Sequence, residues 1–180
     1  LDIRRLSVAR MAGTEAVVSG ALKGFDGIPE AEALTFNVKA GDVPGFLRFL
    51  GQDPGMVPKG LGPVTVSGRI DGKLLAPKLN IKMTGAGATA RLSGRIEELG
   101  LIPAVKGLKF QLAAADASGL LRLAGLDTPG AAKQLGAVSI TGSLDGNLLK
   151  PDLMLNLKAA GGSVALSGTL NMLHMLPIGD

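Results

Sequence analysis

From Val64 onward, apolar and polar side chains alternate. Val64, Val66 and Ile70 are followed by Leu79, Ile81 and Met83, then by Ala88, Ala90, Leu92 and Ile96, then by Leu108, Phe110 and Leu112. Between them stand Thr65, Ser67, Arg69 and Asp71, then Lys78, Asn80, Lys82 and Thr84, then Thr89, Arg91, Ser93 and Arg95. Successive side chains of a strand point to opposite faces, so this alternation predicts four half-buried strands, apolar on one face and solvated on the other.

The punctuation between the runs predicts an antiparallel meander. Asp71-Gly72 and Asp145-Gly146 are dipeptides that supply positive φ in tight hairpins, and Gly85 to Gly87 and Gly161-Gly162 mark the next turns. Calcium at the Asp-Gly sites would need several further oxygen ligands at close spacing, and none follow, so they read as turns. After the fourth strand come DVPGFLRFLG (42–51) and DASGLLRLAG (116–125), each opening on an N-capping Asp and closing on a C-capping Gly. Both predict helices of about two turns. Phe46, Leu47, Phe49 and Leu50 in one, and Leu120, Leu121 and Leu123 in the other, are expected to face the sheet. Arg48 and Arg122 stand at the rim, either within reach of lipid phosphates or snorkelling beside the last helical turn.

The pattern also recurs. LGPVTVSGRIDGKLLAPKLNIKMTGAGATARLSGRI from Leu61 returns without a gap as LGAVSITGSLDGNLLKPDLMLNLKAAGGSVALSGTL from Leu135, 74 residues later. The same offset pairs Pro29 with Pro103, Phe36 with Phe110, Asp42 with Asp116, Arg48 with Arg122 and Gly51 with Gly125. The chain thus divides into a partial first repeat (1–60), a complete second (61–134) and a partial third (135–180), all one β array and a slice of a longer protein. The expected fold is mostly β: an antiparallel meander of about four strands and one short helix per unit, curled into an open, apolar-lined groove.

Composition narrows the chemistry. Hydrophobic residues make up 46% of the chain, yet no run is long and uncharged enough to span a bilayer as a helix. With no Cys, disulfides, thiolate metal sites and thiol nucleophiles are excluded. A net charge of +4 spread along the strands, with no Trp or Tyr and five Phe, argues against nucleic acid. An outer-membrane barrel would carry aromatic girdles, which this composition lacks.

The apolar face is therefore the candidate site. It comprises Val18, Leu34, Phe36 and Val38; Val64, Val66 and Ile70; Leu79, Ile81 and Met83; Leu92 and Ile96; Leu108, Phe110 and Leu112; Val138, Ile140 and Leu144; Leu153, Leu155 and Leu157; and Val164, Leu166 and Leu170. Each such side chain contributes roughly 1.5 to 3 kcal/mol when removed from water, so the face demands a cover. A second sheet would close it into a sandwich. The small inward residues Gly68, Ala88, Ala90, Gly94, Gly142 and Gly168 would leave that sandwich thinly filled, which favours a trough covered by acyl chains. The scattered Met residues read as adaptable filling.

Catalysis has no support in the residues. His174, the single histidine, stands between Leu173 and Met175 with no orienting partner or nucleophile nearby. The recurring Asp residues repeat as capping and turning residues do, and no phosphate-binding glycine motif joins a strand to a helix. No cofactor and no metal are expected.

The repeated pattern LGxVxxxGxLDGxLxxPxLxLxLxAxGGxxxLSGxL and the helix D-x-x-G-[FL]-L-R-[FL]-x-G resemble the AsmA/TamB-like C-terminal repeats of the AsmA family of Gram-negative envelope proteins. The likeness covers nearly the whole chain and rests on Leu135, Gly136, Val138, Gly142, Leu144, Asp145, Gly146, Pro151, Leu153, Leu155, Leu166, Ser167 and Gly168, with their partners one period earlier. The resemblance implies a periplasmic β groove anchored to the inner membrane by a part of the protein outside this segment. It further implies phospholipid as ligand, with outer-membrane proteins as possible clients.

Overall fold

The computed structural model describes residues 2–11, 13–49, 51, 53, 55, 62–98, 103–123, 130, 134–147 and 149–170, with only the backbone described at 2–11, 46, 49, 98, 122 and 123. Ten strands form one antiparallel sheet in chain order. They are β1 (Asp2–Met11), β2 (Thr14–Lys23), β3 (Glu30–Ala40), β4 (Val64–Lys73), β5 (Lys78–Gly85), β6 (Ala88–Glu98), β7 (Ala104–Ala114), β8 (Val138–Asn147), β9 (Asp152–Ala159) and β10 (Gly162–Thr169). Helix α1 (Val43–Phe49) follows β3 and α2 (Ser118–Leu123) follows β7. β2 and β6, β3 and β7, β4 and β8, β5 and β9, and β6 and β10 each begin 74 residues apart, so the sequence period is a structural one. Four strands and a short helix form the unit, as expected. The order is linear and β1 does not pair with β10, so the sheet is open.

Two kinds of turn join the strands. The β5–β6 hairpin closes over Ala86 (φ 50°) and Gly87 (φ 74°), and the β9–β10 hairpin over Ala160 (φ 52°) and Gly161 (φ 74°). Two consecutive positive φ values give the turn whose twist matches the flanking strands. The Asp-Gly dipeptides, in contrast, are not the hairpin turns that the sequence suggested. β4 runs through Asp71 and Gly72 to Lys73, and the chain reverses afterwards, where the Ala76 N–H donates to the Lys73 carbonyl (2.9 Å). β8 likewise continues past Asp145-Gly146, and the Lys150 N–H donates to the Asn147 carbonyl (3.1 Å).

The dipeptides instead serve bulges on the preceding strand. Asp71 Oδ1 accepts the N–H of Ala33 (2.9 Å), and Asp145 Oδ1 accepts that of Gly107 (2.7 Å). Ala33 (φ 52°) and Gly107 (φ 55°) are left-handed, and the β3–β4 and β7–β8 registers shift beside them. On the other side of each bulge lies Gly20 (φ 135°) or Gly94 (φ 146°). A Cβ there would come within 2.6 Å of the Leu34 or Leu108 Cα, so the crossing backbone demands glycine.

Protein covers the strand ends. Thr14, Ala40, Val64, Ala114, Ala117 and Val138 are buried at the end that bears the helices, and Ala31, Val105, Pro77 and Pro151 at the other. α2 lies directly on the β5–β6 turn: a Cβ on Gly119 would stand 1.9 Å from the Ala86 carbonyl oxygen. The start of α1 meets the β1–β2 turn in the same way, the Gly41 N–H donating to the Gly13 carbonyl (3.0 Å). Asp42 caps α1 as expected, accepting the Gly45 N–H (2.9 Å), and Gly51 (φ 71°) follows the helix in the left-handed conformation, its N–H on the Arg48 carbonyl (3.0 Å). Asp116 differs from expectation. It lies one place before the capping position, bonding the Ser118 N–H (2.7 Å) and hydroxyl, while the Ala117 carbonyl accepts the first helical N–H, from Leu121 (2.9 Å). Gly125 is outside the described residues.

Candidate functional site: an apolar wall

The register aligns the apolar positions into rows that run across the sheet. One row reads Leu6, Val18, Phe36, Gly68, Ile81, Leu92, Phe110, Gly142, Leu155 and Leu166, one residue from each of the ten strands. A second reads Val8, Ala16, Val38, Val66, Met83, Ala90, Leu112, Ile140, Leu157 and Val164. A third joins Leu34, Ile70, Leu79 and Gly94, then Leu108, Leu144, Leu153 and Gly168. Val64 and Val138, at strand starts, and Ile96, beside Val105, complete the same face. Leu170 follows β10, its N–H on the Pro151 carbonyl (3.0 Å). Alternation on a pleated strand, with register shifts confined to bulges that leave the first two rows in step, is enough to produce such a wall.

Sequence reasoning missed how the small positions on this wall are used. Gly68 and Gly142 are not gaps. Phe36 lies directly opposite Gly68 and Phe110 opposite Gly142, and each ring crosses the neighbouring glycine so closely that a Cβ there would be 2.8 Å and 2.3 Å, respectively, from the ring's tip. A phenylalanine laid over a cross-strand glycine buries both and pins the pairing. The recurrence of Phe and Gly at the same offset was the available signal.

Among the described residues, all strands belong to one sheet, and the substantial contacts between elements join ladder neighbours only. The wall residues of β5 and β9 are nonetheless mostly half-buried while the polar residues that alternate with them are exposed. Screening by neighbours on the same face accounts for this. Among the described side chains the wall is most open at β10, where Val164 is 55% and Leu166 59% exposed. Of the helix positions, Leu47, Leu120 and Leu121 are half-buried and Arg48 is exposed. The side chains of Phe46, Phe49, Arg122 and Leu123 are not among those described, and Leu50 and His174 lie wholly outside the described residues. Met154 is not filling: it sits on the polar face, 65% exposed.

That opposite face carries the charges. Arg69 donates to Asp71 through Nε (2.6 Å) and Nη2 (3.1 Å), Lys23 pairs with Glu32, and Lys106 pairs with Glu97 (3.7 Å). The Arg69 hydrogen bond, helped by the Ala33 N–H, holds the Asp71 carboxyl below its ordinary value, and Asp71 in turn raises Arg69. A depression of about 660 Å3 crosses β6 to β10 on this side. It arises where short side chains such as Ser93, Ser143, Ala165 and Ser167 lie between the longer Arg91, Lys109, Gln111 and Met154. Among the described residues, no group of three or more His, Cys, Asp or Glu is arranged to hold a metal ion, and no helix is long and apolar enough to cross a membrane.

Compared with known proteins, the chain matches no family model, no curated protein and no solved structure.

Proposed function

We propose that this chain is a non-catalytic lipid-binding segment of an AsmA-like envelope protein, lining a groove along which phospholipid moves through the periplasm between an inner-membrane anchor and the outer membrane. The observation that carries the reading is the wall itself: apolar rows, two of them running through all ten strands, on a sheet that is a single open layer among the described residues, half-buried in mid-strand. Aliphatic side chains without placed polar groups suit acyl chains, for which transfer contributes about 0.8 kcal/mol per methylene. Because the rows repeat every unit, a bound chain meets equivalent surroundings at successive positions, and sliding between them changes the free energy little.

Native mass spectrometry of the purified protein tests the reading directly. Co-purified phospholipid is the expected result, lost when Asp replaces Ile81, Leu92 or Leu155 one at a time in variants that still fold. A chain that emerges lipid-free, and stays so after incubation with phospholipid vesicles, would refute it. A second reading is a scaffold that pairs with strands of outer-membrane proteins; its support is that, among the described residues, β10 pairs with β9 alone.

A further inference from the structure

The polar face is not the same in every repeat. In the second, Lys82 of β5 stands directly opposite Arg91 of β6, and Lys78 opposite Arg95. Lys109 of β7 lies opposite Ser93, level with the gap between the two pairs. All five side chains are exposed. Lys78 also faces Asp71, which Arg69 already pairs, and the nearby Glu97 pairs with Lys106 (3.7 Å). Among the described residues, Lys82, Arg91, Arg95 and Lys109 have neither a hydrogen bond nor an ion pair. Like charges directly opposite one another on neighbouring strands destabilise a sheet.

The other copies show that the fold does not require these cations. Where the second repeat has Lys82 opposite Arg91, the third has Asn156 opposite Ala165; where it has Lys78 opposite Arg95, the third has Asp152 opposite Thr169, whose hydroxyl donates to the carboxylate (2.6 Å). In the first repeat Thr35 takes the place of Lys109, its hydroxyl 2.8 Å from that of Ser19. The cluster is thus an addition to one unit, on strands that have a described neighbour on both sides. Register alone assembles it from residues scattered along the chain.

We propose that this basic face of β5, β6 and β7 is a docking surface for an acidic, extended segment of a partner polypeptide. The cations form three steps along the strands: Lys82 with Arg91, then Lys109, then Lys78 with Arg95, each about 6.7 Å from the next. Acidic side chains at alternate positions of an extended chain have that same spacing, so one chain lying over β6 presents a carboxylate to every step. Arg91 and Lys109 also border the depression of about 660 Å3, where Ser93, Gln111, Thr141 and Ser143 offer hydrogen bonds to a peptide backbone. A bilayer surface is planar and does not enter such a depression, and a chain without Trp or Tyr lacks the platforms on which nucleic-acid bases stack. The inference is independent of what covers the apolar wall.

The test titrates the whole chain into a fluorescent decapeptide of alternating Asp and Ser, followed by anisotropy at low and high salt, with the matching Asn and Ser peptide as comparison. Saturable binding of the Asp peptide is expected, weakened by salt, with none of the Asn peptide. Arg91→Gln combined with Lys109→Gln should weaken binding roughly tenfold or more without lowering the urea midpoint, because it relieves a like-charge contact. Lys39→Gln combined with Lys158→Gln removes the same charge elsewhere and should leave most of the affinity. Absence of saturable binding, equal binding of the Asn peptide, equal losses in the two double variants, or a lowered urea midpoint on removing Arg91 and Lys109 would each overturn the proposal. So would phosphatidylglycerol vesicles that bind through Arg91 and Lys109 and displace the peptide, since the occupant would then be a membrane.

Discussion

The strand ends and the strand middles draw on the same aliphatic residues, yet among the described residues only the ends are sealed by protein. At the ends, Val64, Ala114, Ala117 and Val138 are buried beneath helices and turns, and Val105 is 5% exposed at the opposite rim. In the middles, Phe36, Val66, Ile81, Leu92 and Leu155 have, among the described residues, only their neighbours on the sheet for cover and remain half-buried. The fold is therefore held by its two rims and by the ladder between them. Among the described residues, no second layer covers its centre.

The sharpest way to break this division is to place the same charge in both zones. Val64→Asp or Val105→Asp buries an unpaired carboxylate, a change that costs several kcal/mol, and urea denaturation should show most of the stability gone. Leu92→Asp, in mid-wall, should leave a folded chain with a modestly lowered urea midpoint; equal losses at both places would mean that the middle is a closed core. Next in size is Gly119→Val. Its side chain collides with the Ala86 carbonyl, and a loss of roughly 1 to 3 kcal/mol is expected as α2 lifts from the hairpin. Thr14→Val should act in the opposite sense. Thr14 is 3% exposed and its hydroxyl has no partner among the described residues, so replacing that hydroxyl by a methyl should raise stability by about 1 kcal/mol.

The smallest effect concerns pH. Asp71 has a depressed carboxyl pKa, so its contribution is fully present above the unfolded value of about 4 and is lost as pH falls through the lower folded value. Asp71→Asn removes that titration. The difference in urea midpoint between the native chain and the variant should be constant from pH 7 to about pH 5 and shrink as the pH is lowered further. A difference that does not change down to pH 2 would show that the Arg69 pairing contributes nothing in solution.

Much of this architecture was legible in the residues because alternation is a direct imprint of the pleat. Val66 or Leu155 can face only one way once its strand is placed, and the 74-residue offset carried that placement from one copy to the next. Asp71-Gly72 misled because positive φ is a property of both turns and strand distortions. Gly72 does have φ 88°, but what fixes the dipeptide's role is the bond that Asp71 accepts from the Ala33 N–H on another strand, 38 residues away, which no local pattern reveals. The single-layer arrangement was also beyond local reading, since a sandwich and an open sheet impose the same alternation on a strand. The depression on the polar face depends on which short residues become neighbours across β6 to β10, and that is decided by register.

Likeness of the copies at the positions that set register also poses a sorting problem during folding. β3 can in principle close on β4 or on β8, which present equivalent partners, Gly68 and Gly142, to the preceding phenylalanine. Only the tether tells them apart: residues 41–63 separate β3 from β4, whereas 41–137 separate it from β8. Closing the shorter loop is favoured by roughly 1 kcal/mol of chain entropy. So narrow a margin makes protein concentration a control variable, because in a crowded refolding mixture the equivalent strand of another molecule competes on nearly equal terms and entangled dimers become the characteristic failure.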